Sequence, residues 1–327
     1  MSAKIAFILL FFINSLIFIN FKKISKIINI YDHPDEKRKF HEKATPILGG
    51  FIFYFSILFL FSIQNFSIVE FQGSYLFENK YFFIFLTIVF LVYLYDDIKI
   101  LGPNLKLILK IFIILTYLIL DQSLLINNLE FSFAKNKIFL GWFSIPFTVL
   151  CFILFINAFN MFDGINLQCG LYTLQIFLVL FFITNNIIFI YLIIPITFFL
   201  ILNYLNLCFL GNNGSSIISF SISVIIIKIY NTDALIYADD IFIIMCVPGF
   251  DLLRLVVKRI INKSHPFYPD RNHIHHVLLK KFNQNQTVYI IQVLIFIPII
   301  LNFFTSVSSI LLISVTIITY FLLIFKT

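Results

Sequence analysis

Apolar runs close to the length of a transmembrane helix recur from one end of the chain to the other. A span needs about 20 predominantly apolar residues, and 61% of this chain is hydrophobic while only 12% is charged. Because about one-quarter of a soluble domain is charged, we predict an all-α, polytopic integral membrane bundle in which residues 1–327 form a single membrane-embedded domain. About eleven transmembrane helices are expected, at Ile5–Phe21, Ile47–Ile63, Tyr81–Tyr95, Leu105–Leu120, Phe143–Ile156, Leu171–Thr184, Ile187–Leu202, Ile217–Ile229, Ile241–Phe250 with its flanks, Val288–Phe304 and Ser306–Phe325.

Some of these runs are irregular. Several are short for a hydrocarbon core of about 30 Å, so we expect tilted or partly shielded helices. The first run lacks an A-x-A-like cleavage site and a strongly basic start, which favours an uncleaved first span over a signal peptide. Pro248-Gly249 interrupts the ninth run, which makes it the least regular. The alternation of Leu129, Phe131 and Phe133 predicts a small hairpin in the long segment between the fourth and fifth runs.

Lysine and arginine are concentrated in alternate loops. The loops after the first, third and ninth runs hold most of the cations, whereas the eighth loop is acidic, with Asp233, Asp239 and Asp240. The positive-inside rule then predicts that the basic, odd-numbered loops face the cytoplasm, with the N-terminus outside and the C-terminus cytoplasmic. The net charge of +7 could suggest a nucleic acid partner, but the loop placement accounts for it, and we expect no nucleic acid.

Five polar clusters all fall in the odd-numbered loops. Because these loops lie on one predicted face of the bundle, we expect the clusters to form one cytoplasmic active site. They are Asp32 to Gly50, Asp96-Asp97, Asn157 to Gly170, Gly211 to Ser216 and Asp251 to His276.

The segment from Asn157 to Asn166 places one carboxylate and three asparagines at the mouth of a predicted membrane helix. Such groups are costly there unless they bind something. Oxygen-rich side chains such as Asp163 and Asn160 suit Mg²⁺ and the phosphates that it bridges. The alternative is a helix-end turn, with polar side chains capping backbone groups and Gly164 supplying a positive φ.

Asp96 and Asp97 end the third apolar run. Adjacent carboxylates at a helix C-terminus oppose the helix dipole, which argues against a purely structural role. Like charges at one site also raise one of the two pKa values, which suits a general base or a metal ligand. The alternative is a solvated pair at the membrane boundary.

Two further clusters suit phosphate. The glycines of Gly211 to Ser216 precede a helix expected to begin near Ile217, an arrangement that can bind an anion or form a plain turn. His273, His275 and His276 follow Arg271, and such a group can contact a pyrophosphate and a base. The histidines could instead hold zinc, but no cysteine is near them.

Six motifs occur in a fixed order along most of the chain: Asp32-x-Pro34, Arg38-Lys39-x-His41, Pro46-x-x-Gly49-Gly50, Asp96-Asp97, Asn157-Ala158-x-Asn160-Met161-x-Asp163-Gly164-Ile165-Asn166 and Pro269-Asp270-Arg271-x-His273-Ile274-His275-His276. Together they resemble the polyprenyl-phosphate N-acetylhexosamine-1-phosphate transferases of glycosyltransferase family 4. The final motif is similar to the branch that transfers N-acetylglucosamine-1-phosphate to undecaprenyl phosphate and starts O-antigen, enterobacterial common antigen or teichoic acid (cell wall) lipid carriers, which implies a bacterial inner membrane. It is less similar to the phospho-N-acetylmuramoyl-pentapeptide transferases, which usually have a different histidine triplet followed by an acidic residue.

The resemblance implies a reaction and a set of site residues. A UDP-sugar, UDP-N-acetylglucosamine or a related donor, would give its sugar-1-phosphate to undecaprenyl phosphate and leave UMP, either directly or through a covalent phospho-aspartate. The implied catalytic residues are Asp96, Asp97 and Asp163. Mg²⁺, with Mn²⁺ as a substitute, would be held by Asp163, Asn160 and Asn212. The implied binding residues are His41, Lys43, Asn160, Asn166, Arg271, His273, His275 and His276.

Two departures from the family pattern are visible. Asn212 stands where the family has the Asp of a Gly-Asp-x-Gly-Ser loop, and Leu167-Gln168 stands where it usually has Gly-Leu. An amide ligates a hard cation more weakly than a carboxylate, so a non-catalytic homologue or one of altered specificity stays open. A polytopic transporter is the other class, but inverted repeats are not visible. We expect membrane lipid as surroundings, and the sequence leaves a homodimer open.

Overall fold

The computed structural model describes residues 3–34, 43–66, 80–232, 235, 237–263 and 272–326. Nearly all of the secondary structure in this part of the chain is α-helical. The helices are α1 (Ala3–Ile19), α2 (Phe21–Ile28), α3 (Gly49–Asn65), α4 (Lys80–Ile98), α5 (Pro103–Leu120), α6 (Ser144–Phe162), α7 (Gln168–Thr184), α8 (Ile188–Tyr204), α9 (Gly211–Asn231), α10 (Ala238–Ile261), α11 (Ile274–Leu278), α12 (Gln284–Phe304) and α13 (Ser309–Lys326).

Each of the eleven predicted apolar runs coincides with one of these helices. Five segments are long and apolar enough to cross a membrane, and the bent pair α1–α2 would make a sixth. They make this a multi-pass membrane protein, while the number of about eleven spans stays a prediction. The five segments are Lys80–Ile98, Pro103–Leu120, Gly141–Phe162, Gly211–Asn231 and Gln284–Phe304.

Three helices differ from the sequence-based expectation. The helix α10 runs without a break through Pro248-Gly249, because it is packed against α6, α12 and α13, and such packing compensates for the lost backbone hydrogen bond. The helix α9 begins at Gly211, before the expected start near Ile217. The short basic helix α2 was not predicted, and it is bent by 72° from α1.

One compact unit comprises Met1–Ile100 and Cys169–Ser221. Within it α1 packs against α3 and α8, and α3 packs against α4 and α8. Asn14 of α1 and Ser56 of α3 are buried and exchange hydrogen bonds of 3.0 and 3.2 Å. Pairing of this kind satisfies polar groups inside an apolar bundle.

The starts of α3 and α9 meet at a pair of glycines. A β-carbon on Gly50 would lie 2.8 Å from the backbone nitrogen of Gly214 and 3.0 Å from Cγ of Asn213. The backbones of α3 and α9 therefore approach each other closely at these glycines. Just before it, β1 (Tyr31–Asp32) pairs antiparallel with β2 (Thr45–Pro46).

The other compact unit comprises Leu101–Gln168 and Ile222–Thr327. Here α10 packs against α6, α12 and α13, and α11 packs against α12 and α13. The predicted hairpin is confirmed, with β3 (Asn128–Leu129) antiparallel to β4 (Ile138–Phe139). It is fastened to the start of α10, because the backbone N–H of Ser132 donates to Asp239 at 2.9 Å.

Candidate active site

Asp96 and Asp97 lie in the last turn of α4, and Asp96 is 1% exposed. The Asp97 carboxylate faces the start of α9, where Oδ1 accepts the backbone N–H of Asn212 and Oδ2 that of Asn213, each at 3.0 Å. A carboxylate at the positive end of a helix dipole is stabilising. Asp97 therefore also caps α9, a structural contact that the argument from its own helix did not predict.

The segment Gly211–Ser216 forms the first turns of α9, so the alternative of a plain turn is wrong. Gly211 has a φ of +75°, in the left-handed region that favours glycine, and a β-carbon there would lie 3.0 Å from Oδ2 of Asp97. The anion at this helix start is the Asp97 carboxylate itself. The structure thus brings together Asp97, a predicted catalytic residue, and Asn212, a predicted metal ligand.

Three predicted binding residues lie in or near loops that are only partly described. Lys43 is exposed, and its carbonyl accepts a hydrogen bond of 3.1 Å from the Thr45 hydroxyl. His41 and Arg271 lie outside the described residues. A role of these three in binding a nucleotide stays a prediction.

Asn160 and Asp163 lie one helical turn apart at the C-terminal end of α6. The backbone N–H of Asp163 donates to the carbonyl of Asn160 at 3.3 Å, and both side chains are half-buried. One turn earlier, the buried Asn157 accepts a hydrogen bond from the buried Lys110 amine through its side-chain oxygen. Carboxylate and amide oxygens are therefore grouped at this helix end, and Asn166 follows in the same loop.

The turn after Asp163 has a different backbone from the one that the sequence suggested. Gly164 does not adopt a positive φ, whereas Leu167 does, at +71°. The expectation of a positive φ at Gly164 is wrong, and the left-handed position falls where the family pattern usually has glycine. A leucine in this region is strained because its β-carbon crowds the backbone.

Gly164 is needed for another reason, which is its contact with His275. A β-carbon on Gly164 would overlap the imidazole, with Cδ2 at 2.8 Å and with Nε2 and Cε1 closer. Only a residue without a side chain allows the backbone to lie so near the ring. The structure therefore brings the Asp163-Gly164 turn against the histidine motif, although the two are far apart in the sequence.

The three histidines lie together at the start of α11. His273 is the N-cap residue, and its ring is parallel to that of His275 with centroids 5.6 Å apart. The centroids of His275 and His276 are 4.3 Å apart. Burial, reinforced by the neighbouring His276 and His273, lowers the pKa of His275 to about 3. His275 is therefore neutral near pH 7 and can act as a hydrogen-bonding group without adding a positive charge.

Sequence reasoning missed the residues that hold the histidines. Asp251 Oδ2 lies 2.7 Å from Nδ1 of His273, and Asp251 is contacted by Arg254 and by Tyr320. Asp251 lay within a predicted polar cluster but received no role. Tyr320 lies in the last apolar run, where nothing in the local sequence distinguishes it from a lipid-facing tyrosine.

The described site residues thus form two groups. One contains Asp96, Asp97 and Asn212, and the other contains Asn160, Asp163, Asn166, His273, His275 and His276. That both groups serve a single active site stays a prediction.

The chain is similar to known membrane enzymes along most of its length. The family model described as glycosyl transferase family 4 matches residues 80–230, which contain Asp96, Asp97, Asp163 and Asn212. A Bacillus subtilis (strain 168) protein named probable undecaprenyl-phosphate N-acetylglucosaminyl 1-phosphate transferase is 27% identical over 310 residues, which is 90% of this chain and 81% of that protein.

Two other relatives have the name undecaprenyl-phosphate alpha-N-acetylglucosaminyl 1-phosphate transferase. The one from Escherichia coli (strain K12) is 25% identical over 274 residues, or 79% of this chain and 71% of the relative. The one from Thermotoga maritima is 27% identical over 286 residues, or 87% of this chain and 83% of the relative. The family match over residues 80–230, these relatives and the order of the motifs together make the chain similar to glycosyl transferase family 4.

Proposed function

We propose that this protein transfers an N-acetylhexosamine-1-phosphate from a UDP-sugar to undecaprenyl phosphate, giving an undecaprenyl-diphospho-sugar and UMP. The observation that carries the proposal is the packing of the Asp163-Gly164 turn against His275. It joins the two motifs on which the resemblance most depends, and the similar proteins are named for the same reaction class. N-acetylglucosamine is the first sugar to test, because it appears in those names.

The chemistry exchanges one phosphoanhydride for another. An oxygen of the lipid phosphate attacks the β-phosphorus of the UDP-sugar, the new P–O bond forms, and the bond to the α-phosphate breaks so that UMP leaves with the electron pair. Because the bonds made and broken are of one kind, the protein mainly has to align two phosphates and offset their negative charge.

The end of α6 supplies two oxygen donors of the kind that a hard cation prefers. Asp163 supplies a carboxylate and Asn160 an amide oxygen one turn away, both half-buried. In the part of the chain that the structure describes, no group of three or more His, Cys, Asp and Glu side chains could hold a metal, so the substrate phosphates would complete the coordination. Mg²⁺ bound there would offset the charge of the diphosphate. Asn212 is proposed as a weaker amide ligand.

The histidine cluster is assigned to the nucleotide diphosphate. His275 is buried and neutral, so it orients a phosphate oxygen or the base by hydrogen bonding. His273 and His276 lie beside it. The positive charge at this end of the donor would come from Arg271, whose place in the motif supports the assignment.

Asp96 and Asp97 are assigned to the acceptor phosphate, which they orient and from which one of them takes a proton. Asp97 is fixed by its two backbone hydrogen bonds to α9, and each of its oxygens has a second lone pair. The aliphatic chain of the acceptor requires an apolar surface, and it would lie along the apolar helices outside the site.

The test is UMP release by the purified protein in detergent, with undecaprenyl phosphate, a panel of UDP-sugars and Mg²⁺. We expect transfer from at least one UDP-N-acetylhexosamine and none after chelation. Asp163→Ala should abolish transfer while thermal unfolding stays near that of the wild type. Because Asp97 caps α9, Asp97→Asn, which keeps one of the two cap hydrogen bonds, is a milder variant at that position than alanine. Full activity in either variant would remove the site assignment.

A further inference from the structure

We propose that Asp251 is a positioning residue that fixes the tautomer and the orientation of His273, and that Arg254 and Tyr320 hold Asp251 in place. The inference rests on the proposed function, which assigns His273 to the UDP-sugar. All of the groups involved belong to one compact unit and come from α10, α13 and the start of α11.

The two carboxylate oxygens of Asp251 have different partners. Oδ1 accepts three hydrogen bonds, from Arg254 Nη2 at 2.9 Å, from the backbone N–H of Ile274 at 3.0 Å and from the Tyr320 hydroxyl at 2.7 Å. Oδ2 lies 2.7 Å from Nδ1 of His273. Asp251 is 2% exposed and His273 is 7% exposed, so water competes little for these bonds. Oδ1 is saturated, and Oδ2 is directed to the imidazole.

This geometry selects one form of the His273 ring. A carboxylate accepts hydrogen bonds and cannot donate them, so Nδ1 of His273 must bear the hydrogen. A neutral imidazole has a single N–H, which makes Nε2 an acceptor. When the ring is protonated, Nε2 becomes a donor without any change of orientation. In both states Asp251 determines which nitrogen is presented on the far side of the ring.

Arg254 and Tyr320 make the support rigid. Arg254 Nε donates to the Tyr320 hydroxyl at 2.7 Å, and Nη2 also donates to the carbonyl of Asn272 at 2.6 Å. Arg254 therefore offsets the buried charge of Asp251 and fastens the residue that precedes His273. With its oxygens engaged and its surface covered, Asp251 acts through the imidazole and not on the substrate itself.

Asp251→Asn separates positioning from folding. The amide has the same size, and because three donors meet at Oδ1, its oxygen stays there and its –NH2 faces Nδ1 of His273. That nitrogen must then accept, which moves the ring hydrogen to Nε2. The same exchange in a buried aspartate–histidine pair of a protease lowers kcat by about 10⁴-fold. We expect a fall in kcat of about 100-fold or more, with KM for the UDP-sugar changed far less.

The matched control is Asp240→Asn on the same helix. Asp240 accepts a hydrogen bond of 2.8 Å from the Asn302 amide and does not contact a histidine in the described structure. It should keep wild-type kcat and the wild-type melting temperature. In a His273→Ala background, Asp251→Asn should lower kcat no further, because the ring on which it acts is absent. An equal loss in both backgrounds would overturn the proposal.

A second readout does not depend on turnover. With ¹⁵N-labelled histidine, the wild type should give the NMR signature of an Nδ1–H tautomer at His273, and Asp251→Asn that of the Nε2–H tautomer. An Nε2–H ring in the wild type overturns the proposal. If the tautomer changes as expected while the wild type transfers no UDP-sugar, the proposed function fails and the positioning role of Asp251 stands.

A milder variant covers the case in which Asp251→Asn does not fold. Tyr320→Phe removes one of the three donors to Oδ1 and leaves the contact of Oδ2 with His273 intact. We expect a loss of less than about tenfold in kcat and an unchanged tautomer. A loss as large as that of His273→Ala would contradict the assignment of Tyr320 to a supporting role.

Discussion

Replacement of Gly164 by alanine tests the contact that joins the aspartate turn to the histidines. The new β-carbon would lie 2.8 Å from Cδ2 of His275, with two further ring atoms nearer. Carbon atoms in ordinary contact are about 3.5–4.0 Å apart, so the ring or the turn must move by roughly 1 Å. His275 is 1% exposed and lies against the rings of His273 and His276, which leaves it little room.

The magnitude follows from that displacement. Forcing extra atoms into a packed site typically costs about 1–3 kcal/mol, and we expect Gly164→Ala to destabilise the protein within that range. A catalytic group misplaced by 1 Å can lower the rate by about 100-fold. UMP release should therefore fall by about two orders of magnitude, while thermal unfolding in detergent shifts down by a few degrees.

The control is Gly102→Ala. A β-carbon at Gly102 would have no neighbour within 4 Å, and the backbone there is extended, with φ of −64° and ψ of 146°, which alanine adopts freely. This variant should match the wild type, or gain slightly from the lower entropy of the unfolded chain. If Gly164→Ala behaves like Gly102→Ala in both assays, the reasoning is refuted.

A double-mutant cycle tests whether the cost of Gly164→Ala arises from the contact with His275. In a His275→Ala background, the β-carbon at position 164 no longer meets a ring, and the destabilisation by Gly164→Ala should largely disappear. Residues in direct contact typically show coupling energies of about 0.5–3 kcal/mol. Additive effects would mean that the cost of alanine at 164 arises elsewhere.

Three further predictions concern Leu167, Asn212 and His275. Leu167→Gly should raise the melting temperature, because Leu167 holds a φ of +71° that costs a side chain about 1 kcal/mol; a lower value would show that its packing outweighs the strain. Asn212→Asp should keep its activity and lower the Mg²⁺ concentration needed for half-maximal rate, and a large loss would show that the amide is required. The pKa of His275 is about 3 in the folded protein and ordinarily about 6.5, so the unfolded chain takes up a proton first. The contribution of His275 to the free energy of unfolding should be fully present above pH 6.5 and should fall as the pH is lowered towards 3. In His275→Gln the free energy of unfolding should fall less steeply with pH than in the wild type.

Much of the helical structure could be predicted because apolar runs in a membrane chain have few alternatives to helix. The ends of the helices are harder to predict from the sequence. The start of α9 was placed near Ile217 because Gly211 to Ser216 is polar and rich in glycine, which usually marks a loop. In the structure the Asp97 carboxylate caps this segment and α3 packs against it. Both partners are distant in the sequence, so a local pattern could not reveal them.

In the candidate site, too, the local sequence predicts the residue types but not the contacts between distant residues. The residue types of Asn157 to Asn166 pointed to a cation and phosphates, but not to the reason for the glycine within them. Position 164 requires glycine because the His275 ring lies against its backbone, and not because of a positive φ. The positive φ in this turn occurs at Leu167 instead. Asp251 and Tyr320 are separated by 69 positions and meet only because α10 packs against α13. The spacing of residues in the sequence predicts neither the contact of Gly164 with His275 nor that of Asp251 with Tyr320.

The case of Asp97 shows why an argument from a single helix can fail. At the C-terminal end of α4 a carboxylate faces an unfavourable dipole, and the sequence therefore argues against a purely structural role. The N-terminal end of α9 offers the opposite field and two backbone N–H donors to the same carboxylate, at 3.0 Å each. Such charge-assisted bonds exceed the few tenths of a kcal/mol to about 1 kcal/mol of an exposed dipole term. The electrostatics of a residue at a helix end is set by the nearest helix end in space, which need not be its own, and a loss of activity in an Asp97 variant has to be separated from the loss of the α9 cap.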